Sequence, residues 1–285
     1  MTVSSKTAES LGKKKQAELA PVINRFEMKY TIPFSMIEPV SQFIAPYCSM
    51  DRYSENSVDG FYTINSLYFD TPMFLFLRLR MQRVEKRFNM RIRSYGESSD
   101  SPSFLEIKQR FGDIVRKHRG KVNSNDLETL CKDGYCGSDE ENDKNTGNCA
   151  LFCRTAHRYN ASPVVLVQYR RKAYISDVDD YARVTFDIGL RAMEPKGYQP
   201  TPVESEMIPC DIQTSFDEGC SVILELKCSS TFVPLWMIDL VRAFNLKRRG
   251  FSKYSTCLKP IVNRFGLGGI FCRQSIPAID EILGD

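Results

Sequence analysis

Charged and polar residues two positions apart, with apolar residues between them, recur along this chain. The sets are Arg25, Glu27 and Lys29; Arg91 and Arg93; Glu106, Lys108 and Arg110; Lys117 and Arg119; Tyr169 and Arg171; Arg183, Thr185 and Asp187; and Glu225 and Lys227. Successive side chains of a β-strand point to opposite faces, so each set shares one face. Neighbours such as Met90 and Ile92, or Leu224 and Leu226, share the other. The charged faces offer eleven cations against four carboxylates, Glu27, Glu106, Asp187 and Glu225. Arg predominates, and its planar fork of donors matches phosphate oxygens two at a time. The chemistry open to such a set is to grip and neutralise a chain of phosphates.

A one-sided antiparallel sheet with a solvated face alternates in the same way, and any single segment can be read so. Solvent faces, however, mix Ser, Thr, Asn, Gln, Lys and Glu. Seven segments that together present mostly Arg and Lys describe a cationic interior instead. Mutual repulsion inside it would be costly without a polyanion to neutralise it.

The elements that must position these residues follow from alternation and from β-branched and aromatic content. Strands are expected at about 23–32, 61–70, 87–95, 102–111, 113–120, 163–176, 181–191 and 220–228, enough to close a barrel. Helices are expected at about 34–46, 72–84, 124–132, 149–159 and 234–246, with Pro72 and Pro234 near helix starts. The fold class is therefore α+β: an eight-stranded antiparallel β-barrel tunnel with flanking helices. Residues 1–20 read as a polar tail and 21–285 as one domain, with an acidic, Gly- and Asn-rich insertion loop at about 132–148.

With 285 residues, 42% of them hydrophobic and 26% charged, the chain can bury a sizeable core. A net charge of +4 is too small for the surface as a whole to adsorb nucleic acid or membrane, so no nucleic-acid partner is expected. No apolar leader or spanning run is present, which predicts a cytoplasmic protein with reduced thiols. Of ten cysteines, only Cys131, Cys136, Cys149 and Cys153, with His157 beyond, could be grouped as a metal site, and their spacing is loose for zinc. His118 and His157 lie far apart, which argues against a His-based triad. The GLGG at 266–269 lacks a Rossmann context, and no P-loop motif occurs.

Eight motifs, in order over residues 22–262, resemble the VTC domain, the polyphosphate polymerase branch of the triphosphate tunnel metalloenzymes related to CYTH domains. They are EMKY at 27–30, SLYFDT at 66–71, RIRSY at 91–95, EIK at 106–108, QYRRKAY at 168–174, RVTFD at 183–187, ILELK at 223–227 and FSKY at 251–254. The resemblance implies transfer of the γ-phosphate of ATP to a polyphosphate chain, with Mn2+ or Mg2+ on the triphosphate. It implies that Lys29, Arg91, Arg93, Lys108, Arg171, Arg183 and Lys253 form the catalytic grip and that Lys117, Arg119, Tyr169 and Ser252 bind phosphate. It assigns the metal to Glu225 and Glu27.

Departures from the family's pattern carry information. Hydrolytic tunnel enzymes have an E-x-E-x-K strand where this chain has Arg25, Glu27 and Lys29, and Lys227 stands where they tend to carry a second carboxylate. Fewer carboxylates bind metal and activate water less well, which favours polymerisation over triphosphate hydrolysis. A triphosphatase and a noncatalytic polyphosphate-binding module are the alternatives. Relatives that move their product across membranes suggest a separately encoded membrane partner.

Overall fold

Both edges of the main sheet are covered by other parts of the chain, and this decides its shape. The computed structural model describes residues 25–96, 101–111, 114–133, 144–211, 221–229 and 232–264; the polar tail, most of the acidic loop and the GLGG segment lie outside them. The elements run β1 (Arg25–Ile32), α1 (Ile37–Ile44), β2 (Cys48–Met50), α2 (Arg52–Glu55), β3 (Tyr62–Asp70), α3 (Leu75–Met81), β4 (Lys86–Tyr95), β5 (Ser103–Phe111) and β6 (Ile114–Val122). They continue α4 (Leu127–Asp133), α5 (Lys144–Arg158), β7 (Ser162–Ser176), β8 (Ala182–Met193), β9 (Ile208–Pro209), β10 (Val222–Ser229), α6 (Leu235–Ala243) and α7 (Lys253–Arg264). All eight expected strands form.

The pairing order is β1-β10-β8-β7-β3-β4-β5-β6, with β2 added to β7 and β9 to β8, so the sheet has ten strands and is antiparallel throughout the recorded pairs. The expected closure into an eight-stranded barrel does not occur: β1 and β6 end the path. The physical reason lies at the two edges. On β1, Tyr30 bridges to Arg248, and the Arg249 N–H donates to the Lys29 carbonyl at 2.8 Å, so the approach to α7 occupies the place of a partner strand. On β6, Asn145 of α5 accepts from the Lys121 N–H at 2.6 Å and donates to the Lys121 carbonyl at 3.0 Å, and Asn148 donates to the Arg119 carbonyl at 2.9 Å. Gly120 permits this approach, because a Cβ there would lie 2.3 Å from the Cys149 sulfur. Covered edges cannot pair with one another.

Binary alternation sorts the two faces. Helices α1 and α6 bury Ile37, Val40, Ile44, Trp236, Met237 and Leu240 on the outer face of β1, β10 and β8. Helix α5 presents Cys149, Phe152, Cys153 and Ala156, one helical stripe, to Met90, Ile92, Leu105 and Ile107 on the outer face of β4 and β5. Full burial of each such large side chain contributes about 1.5–3 kcal/mol. The third cluster lies on the concave face, where Tyr254, Cys257, Leu258, Ile261 and Val262 of α7 pack on Ile64, Val165, Val167 and Tyr169. That helix therefore covers the apolar part of the concave face and leaves the charged part to the site.

Helix α5 begins at Lys144, inside the stretch read as a solvated loop. Of the four cysteines weighed for zinc, Cys136 lies outside the described residues, and Cys131, Cys149 and Cys153 are buried. Burial and Cys153 push Cys131 up to about 12, and burial and Cys149 push Cys153 up to about 11. Among the described residues no three His, Cys, Asp or Glu are grouped as a metal site.

Candidate phosphate-binding site

Two buried carboxylate hubs gather the cations of the concave face. On β5, Glu106 is 1% exposed and meets Arg91 of β4 at 2.7 Å, with Lys117 and Arg119 of β6 at 2.7 and 3.4 Å. Burial alone would raise its pKa, but Arg91, Arg93 and Lys117 hold it far below the usual carboxylate range. Register explains the meeting, since Glu106 stands opposite Arg91 on one side and Arg119 on the other. The second hub is Asp187 of β8. Its two oxygens accept from Arg171 Nε and Nη2 at 2.6 and 2.8 Å, and Lys253 lies 2.5 Å from Oδ2. Burial opposes ionisation, and Arg171 and Lys253 bring the Asp187 pKa down to about 2.

Glu225 sits beside the second hub with looser company: Lys227 at 3.2 Å, Lys29 at 3.4 Å and Arg171 at 3.8 Å. Burial raises its pKa, but Lys227, Lys29, Lys253 and Arg171 together keep it well below the normal value, so it is ionised. Glu27 is close enough to feel its charge. Lys108 of β5 reaches Glu27 of β1 at 2.8 Å across the open seam.

Between the hubs stands Arg93, 6% exposed. Its Nε donates to the Ser66 hydroxyl at 3.2 Å and its Nη2 to the Tyr169 hydroxyl at 3.1 Å. Among the described residues no carboxylate lies within ion-pair distance of it. Burial and Arg91 press its pKa down, Tyr169 and Glu106 more than offset them, and the guanidinium stays charged. Its direct partners are neutral hydroxyls and its nearest counter-charge, Glu106, acts at longer range, which leaves its donors available to an anion.

The expected residues thus divide into groups. Arg91, Lys117 and Arg119 gather at Glu106; Lys29, Arg171, Lys227 and Lys253 gather around Asp187 and Glu225; Arg93 and Tyr169 lie between. Arg183 turns to the rim, where its Nη2 donates to Asp51 at 3.1 Å. Ser252 sits at the start of α7, its hydroxyl accepting from the Ser255 N–H at 3.4 Å. Sequence reasoning gave no site role to Asp187, Glu106, Asp51, Tyr62 or Tyr95. The alternation of Tyr62, Ile64, Ser66 and Tyr68 on β3 carried the signal for the aromatic part of this face.

Across the whole site, ten cations (Lys29, Arg91, Arg93, Lys108, Lys117, Arg119, Arg171, Arg183, Lys227 and Lys253) face five carboxylates (Glu27, Asp51, Glu106, Asp187 and Glu225). Fold and charge together define an antiparallel α+β domain with a strongly cationic concave face. The sequence model of the VTC domain matches residues 24–262, and the chain belongs to that family. It is 24% identical over 207 residues to vacuolar transporter chaperone complex subunit 4 of Trypanosoma brucei brucei (strain 927/4 GUTat10.1), a match covering 60% of this chain and 26% of the relative. The chain thus spans about a quarter of that relative's length. Among solved structures it resembles a putative adenylate cyclase from Bacillus halodurans at 10% identity and a TM-score of 0.43, covering 79% of this chain and 92% of the other. A putative adenylate cyclase from Vibrio parahaemolyticus gives 10% and 0.42, with 81% and 96% covered. A putative adenylyl cyclase from Hippeastrum, described as having a dominant triphosphatase activity, gives 14% and 0.43, with 84% and 95% covered.

Proposed function

We propose that this domain is an ATP-dependent polyphosphate polymerase, in which the γ-phosphoryl group of ATP passes to the terminal phosphate of a growing chain. The observation that carries the reading is Arg93, a buried guanidinium with hydroxyl partners and no carboxylate, placed between two hubs that hold further cations. In the transfer, the bond from the γ-phosphorus to the β–γ bridging oxygen breaks, its electron pair leaves with ADP, and a terminal phosphate oxygen of the chain forms the new bond. Positioning and charge neutralisation supply nearly all of the catalysis in such a step. Arg93, Arg91, Arg171 and Lys253 would hold phosphate oxygens, with Lys29, Lys108, Lys117, Arg119 and Arg183 neutralising the chain on either side.

The divalent ion, Mn2+ or Mg2+, would lie on Glu225 with Glu27. Such ions are held by one or two carboxylates together with substrate phosphates, and the long contacts around Glu225 leave its oxygens open to one. The bound ion would supply charge neutralisation to the triphosphate. Hydrolysis is the weaker alternative because Glu106 and Asp187 are already tightly paired with cations and Glu225 and Glu27 would be given to the metal, which leaves water without a base.

No helix among the described residues is long and apolar enough to cross a membrane. A separately encoded membrane partner for a cytoplasmic domain is part of the proposal, and a pull-down from solubilised membranes that recovers no integral protein would count against it. The central test is incubation with ATP and Mn2+, resolving polyphosphate on a gel while assaying ADP and free phosphate. A ladder with matching ADP, lost in Glu225→Ala and Arg93→Ala, supports the polymerase. Free phosphate without a ladder replaces it with a triphosphatase, and tight triphosphate binding without turnover replaces it with a binding module.

A further inference from the structure

Four aromatic rings converge at one mouth of the concave face. Tyr53 of α2 lies 5.3 Å from Tyr62 and 5.6 Å from Tyr95, nearly parallel to the latter at 13°. Tyr95 meets Phe104 edge-on at 5.7 Å, and the Arg119 guanidinium lies 3.7 Å above Phe104 while donating to the Tyr95 hydroxyl at 3.2 Å. Tyr62 and Tyr95 are half-buried, whereas Tyr53 is 54% exposed.

The element that displays this ring is pinned at several points. Asp51 accepts from the Ser54 N–H at 3.0 Å, from the Tyr62 hydroxyl at 3.3 Å and from Arg183 at 3.1 Å. Its own N–H donates to the Ala173 carbonyl at 2.8 Å, and the Ser54 hydroxyl accepts from the Ala173 N–H at 2.9 Å. A helix of four residues would not persist alone, and here it is bound to β7 and to a site arginine with an aromatic face left in solvent. That is the construction of a pre-organised stacking surface.

Its position relates it to the phosphate grip. Tyr62 is the register partner of Arg171, and Tyr95 lies two residues, about 6.6 Å along the strand, from Arg93. The other end of β4 and β5 places Arg87 opposite Arg110, two cations suited to phosphate. We infer that Tyr53, backed by Tyr62 and Tyr95, is the platform on which the base of the donor nucleotide stacks, with its triphosphate running inward past Arg119 and Arg171 to Arg93. The growing chain then occupies the Arg87–Arg110 side. This rests on the nucleotide reading of the same site. Stacking engages the π-face that every base has, so the platform does not choose between ATP and GTP.

The test measures the dissociation constants of ATP, GTP and inorganic tripolyphosphate for the wild type, Tyr53→Ala, Tyr53→Trp and Arg93→Ala under one set of metal conditions. Tyr53→Ala is expected to weaken ATP and GTP roughly tenfold and to leave tripolyphosphate unchanged, with Tyr53→Trp restoring both nucleotides. Equal loss of ATP and tripolyphosphate in Tyr53→Ala, or no loss of ATP, overturns the platform. Tripolyphosphate bound by the wild type with ATP ignored overturns both the platform and the nucleotide donor. An Arg93→Ala variant that holds tripolyphosphate as tightly as the wild type would refute the phosphate site itself, whatever Tyr53 does. The exposure of Tyr53 leaves folding intact in the two Tyr53 variants, and melting curves check all three.

Discussion

Lys108 Nζ lies 2.8 and 2.9 Å from the two carboxylate oxygens of Glu27, joining β5 to β1, two strands that share no backbone ladder. The sheet curls far enough for side chains to meet across the gap that the backbone leaves open. Both residues are partly exposed, so the pair itself contributes only about 0–1 kcal/mol to stability. At the proposed phosphate site its larger effect would be on ligand binding, because Glu27 would compete with phosphate for Lys108. Glu27→Gln is therefore expected to tighten tripolyphosphate binding severalfold in EDTA, where metal plays no part, with little change in melting temperature. Weaker binding in that titration would show that Glu27 positions Lys108 for the ligand instead of competing for it.

Arg93 separates the requirements of folding from those of binding. Its guanidinium is buried on hydroxyl partners and compensated at longer range by Glu106, so Arg93→Met removes a charge that makes no direct ion pair and fills the same space with an apolar chain. The apo protein is expected to change by no more than about 1 kcal/mol in urea denaturation. Tripolyphosphate affinity is expected to fall by roughly 10- to 100-fold, the worth of a charge-assisted hydrogen-bonding group. A variant that loses both stability and affinity would mean that Arg93 is structural first.

Strand alternation made the charged face legible in advance, because a period of two is a local property and every strand keeps it. Closure was not legible. It depends on what covers two edges, and the covering groups, Asn145 and Asn148 on one side and Arg248 and Arg249 on the other, come from segments that read as loop or as part of a motif. Helix α7 was visible only as the FSKY motif, although its apolar residues fall at helical spacing, since Pro260 in its middle argues against a helix. The hubs at Glu106 and Asp187 were named as face residues without a role, because which cations collect on which carboxylate is set by the register between paired strands, which alternation within one strand does not fix. Tyr53 lay between the expected strands, in no predicted element.

Asp187 holds Arg171 and Lys253 together, and Lys253 also lies 4.7 Å over the Tyr169 ring. Asp187→Asn would leave two buried cations short of a counter-charge and is expected to cost about 3–5 kcal/mol in urea denaturation. In the wild type the folded pKa of Asp187 is depressed to about 2, against an ordinary value of 3.8. A depressed carboxylate contributes stability above its unfolded pKa and loses it as pH falls through the folded one. Its share should fade between about pH 4 and pH 2. Stability measured across that interval should fall less steeply in Asp187→Asn, and parallel curves would place the acid sensitivity elsewhere.

Two lysines of the site are poised the other way. Burial, against the pull of Glu106 and with Arg91 and Arg93 adding to it, takes Lys117 down to about 7. Burial likewise takes Lys227 down to about 8, opposed by Glu225 and reinforced by Arg171. With both folded pKa values below the unfolded 10.5, the unfolded chain binds more protons between about pH 7 and pH 10.5, so these groups make the apo fold more stable as pH rises through that window. A phosphate chain placed against them reverses the preference by favouring the ammonium forms. Tripolyphosphate binding at pH 8.5 should therefore draw protons onto the protein, and affinity should fall as pH rises. Calorimetry in buffers of different ionisation enthalpy counts those protons. The difference between the wild type and a Lys117→Arg, Lys227→Arg variant, whose guanidiniums stay charged, isolates the protein's share from that of the ligand. Identical proton counts in the two proteins would show that the lysines are already charged before the anion arrives.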